Sequence, residues 1–166
     1  MMTHLPGTAA LWFLPFVAPI AFWVAYSDMK WMKIHNKAVL ALGAVYLVVG
    51  PLALPIDLWA WGWVHLAVVL AVGFVLSMTG MVGAGDAKFA AAMAPFIALG
   101  DLSLFLPLLA VVVLVALLGH RLVRRVPAVR GLAPDWQSWE RREFPMGLAL
   151  GPALLFYLII AAVYGR

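Results

Sequence analysis

The sequence predicts an all-α, polytopic membrane protein with six transmembrane helices and its N-terminus outside. Apolar residues make up 66% of the 166 residues and charged residues only 11%, with a mean hydropathy of +1.05. A soluble domain of this size is about half apolar. The excess is too large for one buried core, which indicates a chain that crosses a bilayer several times.

Uncharged runs of the right length support this fold class. A transmembrane helix needs roughly 17 to 25 mostly apolar residues. Residues 89–99 form a shorter apolar run that contains Pro95. It fits either a short sixth helix or a re-entrant segment, and we predict a short span. The five longer runs are Thr8–Tyr26, Ala38–Leu54, Leu58–Gly80, Leu102–Leu118 and Phe144–Tyr164.

Basic residues lie on one side of this layout. With six spans, segments 27–37, 81–88 and 119–143 lie inside, and a re-entrant 89–99 would instead export the arginine-rich segment 119–143. The positive-inside rule therefore favours six spans. Trp136 and Trp139 indicate a short interfacial helix in this cytoplasmic loop, whose arginines predict attraction to anionic lipid headgroups rather than to nucleic acid. Ten of the eleven basic residues fall in the three inner segments: Lys30, Lys33, Lys37, Lys88, Arg121, Arg124, Arg125, Arg130, Arg141 and Arg142.

Composition also excludes several chemistries. The chain has no cysteine, so disulfides, cysteine nucleophiles, thiolate zinc sites and iron–sulfur clusters are excluded. The first residues, MMTHLPG, contain no lysine or arginine, so we expect no cleavable signal peptide. No internal repeat interrupts the chain, and we predict one membrane-embedded domain over residues 1–166.

Two of the seven acidic residues are candidates for chemistry. Asp57 and Asp101 fall in predicted outer turns, where we expect solvated carboxylates. Asp28 ends the first span and Asp86 precedes the fourth, so an even number of crossings brings both to the cytoplasmic face. Ionisable groups at such depths are functional candidates. The remaining acidic residues lie in the basic loop, where arginines can pair with them: Asp135, Glu140 and Glu143.

Paired carboxylates suit acid–base hydrolysis. Two facing carboxylates cannot both ionise easily and tend to share one proton. The ionised member can take a proton from water while the protonated member polarises a carbonyl. A metal site is the competing use, but two carboxylates are a thin ligand set, and we predict neither a metal nor a cofactor.

Glycines precede the second aspartate in "MVGAGDAKFA". Gly80, Gly83 and Gly85 make a helix unfavourable there, and non-helical backbone near a membrane is tolerated where it lines a wet cavity. The simpler alternative is a flexible turn with Asp86 as the N-cap of the next helix. Lys88 is either a counter-charge or a lipid anchor.

Other positions carry weaker signals. Asn36 either orients the loop near the aspartates or caps the second helix. Three glycines within apolar runs are expected to permit close helix packing: Gly43, Gly73 and Gly151.

Three segments resemble the prepilin peptidases, a family of membrane aspartic proteases. "GAGDAK" is similar to that family's GxGD-x-K signature. "DMKWMKIHN" resembles its first catalytic segment, in which an aspartate and basic residues precede Ile-Pro-Asn, with His35 standing where proline is usual. "FPMGLALG" resembles its Pro-x-Gly segment at the start of the last helix. The matching positions are Asp28, Lys30, Lys33, Ile34, Asn36, Gly83, Gly85, Asp86, Lys88, Pro145 and Gly147.

The resemblance implies an aspartic endopeptidase of the bacterial inner membrane. Asp28 and Asp86 would be its catalytic pair, Gly83, Gly85 and Lys88 its active-site loop, and prepilin precursors with a short basic leader its substrates. Longer members carry a cysteine-containing insertion and methylate the new N-terminus. Since this chain has no such insertion and no cysteine, it resembles the short, peptidase-only form of Flp, or tight-adherence, pilus systems.

Supporting roles for other matching residues also come only from the resemblance. It implies that Lys30, Lys33, Asn36, Pro145 and Gly147 contact substrate or support the active-site loop.

Two other classes of function compete with this one. Intramembrane aspartates also relay protons in transporters, which would require acidic residues deep within the spans and an inverted repeat. A catalytically inactive subunit of a pilus or secretion apparatus is the second alternative, against which the intact Asp28 and GxGD segment argue.

Overall fold

A computed structural model describes residues 2–165 of the chain as a bundle of helices. Within this part there is no β-strand, and one isolated bridge joins Thr3 to Gly165. The predicted all-α class is therefore confirmed. The helices are α1 (Gly7–Trp31), α2 (Asn36–Ala53), α3 (Ile56–Met78), α4 (Ala84–Met93), α5 (Leu102–Val123), α6 (Pro127–Leu132) and α7 (Gly147–Tyr164).

Five of these helices are long and apolar enough to cross a membrane, namely α1, α2, α3, α5 and α7. Each contains most of one of the five long apolar runs, so the existence of these elements is confirmed. The ends of the helices differ by a few residues from those of the apolar runs, because backbone hydrogen bonding and not side-chain polarity sets where a helix ends. α1, for example, continues beyond its apolar run through Asp28 to Trp31.

The sixth predicted span has a different form. α4 has only ten residues, and 3₁₀ turns at Ala94–Phe96 and Leu99–Asp101 follow it. Between these turns Ile97 and Ala98 are extended, which lengthens the segment beyond what a helix of equal residue count would reach. A complete crossing by residues 89–99 stays a prediction.

α1 and α7 form the centre of the bundle. A Cβ on Gly151 would lie 2.6 Å from the backbone oxygen of Ala21, so glycine allows the two helix backbones to approach closely. Gly73 likewise lets α3 approach α4, since a Cβ on Gly73 would lie 3.0 Å from the Cβ of Ala87. The corresponding prediction for Gly43 is wrong, because a Cβ there would meet nothing within 4 Å.

Aromatic rings close the core on the side of α2. Phe13, Tyr46 and Phe96 are all fully buried, and their ring centroids lie 4.9 to 6.0 Å apart. Rings in such tilted or offset contacts stabilise each other beyond the area they bury. This cluster fastens the irregular end of the α4 segment to α1 and α2.

Asp101 is buried, so its prediction as a solvated residue is wrong. It is only 2% exposed and accepts hydrogen bonds from the N–H groups of His4 and Leu5, at 2.8 and 3.1 Å. The Tyr157 hydroxyl donates a third, at 2.7 Å. These donors compensate the carboxylate for lost water and fasten the start of the chain to α7. Sequence position alone gave no sign of this, because the donors come from both ends of the chain.

Candidate active site

Asp28 lies near the end of α1, where α7 begins. Its side chain is 5% exposed, and the Gly147 N–H donates a 2.6 Å hydrogen bond to Oδ2. A Cβ on Gly147 would lie 2.9 Å from the Asp28 Cβ and 3.0 Å from Val24 Cγ1. Glycine at the first position of α7 therefore permits the contact, and the first N–H groups of a helix are free to bind an anion.

The chain reverses direction just after Asp28. Met32 ends α1 in the left-handed conformation, with φ 51°, and donates its N–H to the Asp28 backbone oxygen at 2.8 Å. A methionine in this conformation costs about 1–2 kcal/mol relative to a right-handed one. Such strain persists where the surrounding structure enforces it. Here the left-handed turn at Met32 directs the loop before α2 toward α4. No pattern in the sequence predicts this turn.

Asp86 lies in the first turn of α4. Gly83 is the N-cap residue, so the alternative in which Asp86 caps the helix is wrong. Gly80 has φ 77° in the preceding turn, whereas Gly85 is helical, so the expectation of non-helical backbone holds for Gly80 and not for Gly85. The Asp86 side chain folds back over Gly83, where a Cβ would lie 2.6 Å from Oδ2.

The two carboxylates are close enough to influence each other. The pKa of Asp86 is raised to about 6, chiefly by burial and then by the negative charge of Asp28, while a backbone hydrogen bond with Gly83 opposes the rise. Gly85 contributes to this proximity, because its Cβ position lies 3.4 Å from Ile34, in the loop that follows α1. The fold thus brings together the two aspartates that the sequence singled out.

Lys88 and Asn36 connect α4 to α2. The Lys88 Nζ donates a hydrogen bond to Asn36 Oδ1 at 3.4 Å, and both residues are exposed. Asn36 is the first residue of α2, whose N-cap is His35, and no side-chain cap bond is present there. Of the two roles predicted for Asn36, the geometry favours orienting the loop over capping the helix.

Lys30 and Lys33 occupy different environments. Lys30 pairs with Asp135 at 3.2 Å, and its Nζ lies over the rings of Tyr26 and Trp31. These contacts attach the loop after α5 to the end of α1. Lys30 therefore holds this loop in place, whereas Lys33 is exposed.

The loop between α5 and α7 is ordered around its aromatic side chains. It contains α6 and a 3₁₀ turn at Gln137–Trp139, which includes one of the two tryptophans of the predicted interfacial helix. The Trp136 ring meets Tyr26 at 5.9 Å, and Trp139 stacks on His120 at 5.5 Å. Pro145 is fully buried just before α7. These contacts fix the approach of α7, and hence of Gly147, to Asp28.

A helical bundle with two interacting carboxylates at one end has the groups needed for acid–base hydrolysis in a membrane protein. Residues 15–120 match the type IV leader peptidase family, which is more than half of the chain. The chain belongs to this family, whose members are proteases and therefore hydrolases. The match includes Asp28 and Asp86 and ends before Pro145 and Gly147. Comparisons with curated proteins and with solved structures gave no match.

Proposed function

We propose that this protein is an aspartic endopeptidase that removes the short basic leader from pilin-like precursors, with Asp28 and Asp86 as its catalytic residues. The observation that carries this proposal is the approach of the two carboxylates, from distant parts of the sequence, at one end of an apolar bundle. Family membership supports the substrate class, because type IV leader peptidases imply prepilin substrates.

The proposed mechanism uses one proton shared by the pair. The ionised carboxylate takes a proton from water as the water oxygen bonds to the scissile carbonyl carbon, and the protonated carboxyl gives its proton to the carbonyl oxygen. In the second step the newly protonated carboxyl gives its proton to the leaving nitrogen. The other carboxylate takes a hydroxyl proton as the C–N bond breaks, which restores the singly protonated pair.

The Gly147 N–H has a specific part in this scheme. It holds Asp28 Oδ2 in place and leaves Oδ1 for water or for the shared proton. A fixed carboxylate loses little orientational freedom when substrate binds, which favours reaction. We therefore assign Gly147 a positioning role for Asp28.

The cytoplasmic face of the bacterial inner membrane is the proposed location. Lys33, Lys37 and Lys88 lie on the segments beside the aspartates, and the arginine-rich loop docks on the same end of α1. Since basic residues remain inside, this end of the bundle faces the cytoplasm in a six-span, multi-pass arrangement with both termini outside. Anionic headgroups would then lie against the loop arginines.

Cysteine content and loop length bear on which form of peptidase this is. The chain has no cysteine, and the loops between its helices leave no room for an additional domain. We propose a peptidase-only enzyme of Flp-type pilus systems, whose product keeps an unmodified amino terminus.

Proton transport is less well supported than proteolysis. The interior between Asp28 and Asp101 is filled by apolar side chains such as Phe13 and Val17, both fully buried. The Asp101 carboxylate is already occupied by three structural donors. A relay would require polar groups along this path.

Co-expression with a pilin-like precursor tests the proposal. We expect a shortened product whose first residue, found by N-terminal sequencing, follows the basic leader, and whose mass shows an unmodified amine. The control is the same precursor with the Asp28→Asn variant at equal abundance. Equal cleavage by this variant would refute the assignment of the catalytic pair.

A further inference from the structure

A lateral groove runs along α5 beside α7. It has a volume of about 570 Å³, and its walls are almost wholly apolar. On α5 the lining positions recur every three or four residues from Leu108 to Val123, which is a length of about 22 Å at 1.5 Å per residue. Leu148, Pro152 and Phe156 form the facing stripe on α7. A straight groove of this length, between two helices that can each span a membrane, suits a third helix.

One end of this α5–α7 groove adjoins the candidate active site. Met29 and Leu148 line it, and they directly follow Asp28 and Gly147 in the sequence. The groove and the aspartates therefore share the wall formed by the end of α1 and the start of α7. A chain segment lying in the groove would deliver its end to Asp28.

Small residues leave room in the floor of the groove. Ala116 and Gly119 lie on its α5 side, and a Cβ on Gly119 would meet nothing within 4 Å. Small side chains on a helix face let a second helix come close to the first. The space above Gly119 is thus open rather than filled by neighbouring side chains of the bundle.

His120 adds a polar atom to the same end. It is 6% exposed, its ring stacks on Trp139, and its buried Nε2 has no hydrogen-bond partner among residues 2–165. The first N–H groups of any helix lack partners within that helix. A helix that begins beside Asp28 would bring such donors to the end of the groove that His120 lines, whereas a lipid acyl chain offers none.

We propose that the α5–α7 groove seats the apolar helix of the substrate, with the scissile bond held beside Asp28; this inference rests on the proposed function. A substrate cut at the end of the bundle continues into the bilayer on one side of the cut. That part must be apolar and helical, since hydrocarbon does not tolerate unpaired backbone groups. The groove matches it in polarity, length and position.

Cysteine cross-linking tests this placement, because the chain has no cysteine of its own. Val115 lines the groove and is 63% exposed, while Leu114 is 54% exposed and does not line it. Val115→Cys and Leu114→Cys would each be combined with Asp86→Asn, which keeps the precursor intact. The probe is a pilin-like precursor with one cysteine in its apolar segment. We expect an oxidative disulfide cross-link from Val115→Cys and little from Leu114→Cys.

Filling the groove provides a second test. Gly119→Phe places a ring in the open space, and Gly43→Phe is the matched control, since a Cβ at Gly43 also meets nothing within 4 Å. We expect Gly119→Phe to raise KM about tenfold or more with kcat little changed, because uniform binding is lost. Gly43→Phe should leave both constants unchanged.

The outcomes separate this inference from the proposed function. Equal cross-linking at both positions, or none from Val115→Cys while the active chain still cleaves the precursor, would refute the groove and leave the peptidase intact. The latter result is the one expected if lipid fills the groove. If the unsubstituted chain cleaves no pilin-like precursor, the proposed function fails and this inference with it.

Discussion

Gly147→Ala is the substitution whose consequence follows most directly from the structure. The added methyl carbon would lie 2.9 Å from Asp28 Cβ, 3.0 Å from Val24 Cγ1 and 3.1 Å from Asp28 Oδ2. The Asp28 Cβ is attached directly to the backbone of α1 and cannot rotate away, so the start of α7 must move away from α1. The 2.6 Å hydrogen bond from the Gly147 N–H to Oδ2 then lengthens or breaks.

The size of the effect can be worked out from that bond. A hydrogen bond to a charged group is worth about 1.5–3 kcal/mol. If the carboxylate must be held this way in the transition state, losing the bond lowers the catalytic rate constant by roughly 10- to 150-fold, at about 1.4 kcal/mol per tenfold. A displacement approaching 1 Å costs about as much by misplacing the carboxylate. Membrane insertion should survive, since alanine is the better helix former.

The assay is precursor cleavage in membranes, with the abundance of each variant measured in parallel. Gly43→Ala is the matched control, because it makes the same change in a helix where the methyl group meets nothing within 4 Å. It should cleave like the unsubstituted chain. Cleavage by well-inserted Gly147→Ala at more than half the unsubstituted rate would refute the positioning role of Gly147.

Four further predictions concern the acidic residues and the loop before α2. Asp28→Asn and Asp86→Asn should each abolish cleavage, and the double variant should be no worse than either single one, because residues acting as a unit lose their effect together; normal processing by a well-inserted single variant would contradict this. Asp101→Asn should lower the free energy of unfolding by about 1–3 kcal/mol with kcat/KM retained, since an amide cannot accept all three hydrogen bonds. The control Asp57→Asn, at an exposed position, should change neither quantity. An unchanged melting temperature for Asp101→Asn would show that these three hydrogen bonds do not stabilise the fold. If the pair needs its shared proton, kcat/KM should fall as pH rises through about 6, because the pKa of Asp86 is raised from its ordinary 3.8 to about 6 and the proton is lost above it; a rate that rises across this range would reverse the assignment. His35→Pro should keep activity, since φ −74° at this position suits proline. Loss of cleavage in a normally inserted protein would instead show that cleavage needs the imidazole ring of His35.

Several properties could be predicted from the sequence because they depend on local composition. Length and polarity decide whether a segment can span a membrane, so the five long apolar runs are found as helices without any knowledge of their packing. Counting crossings placed Asp28 and Asp86 at the same end of the bundle. The family resemblance singled out the same two residues, and the matched residues 15–120 include both.

Other properties depended on contacts between distant parts of the chain. Asp101 is predicted as solvated from its place in a turn, yet its donors come from His4, Leu5 and Tyr157. Gly43 and Gly151 both lie in apolar helices, and only the approach of α1 to α7 distinguishes the glycine that packs from the one that does not. Local sequence contains no information about which backbone passes nearby.

The division between sequence and tertiary structure is therefore physical. The five long apolar helices follow from hydrophobicity along the chain, and the predicted orientation in the membrane rests on its charge; both properties act residue by residue. The hydrogen bond from Gly147 to Asp28 and the groove beside Met29 exist only after α1, α5 and α7 have packed. Helix packing is set by side-chain shape over many residues at once, so tertiary structure alone decided that a groove adjoins Asp28.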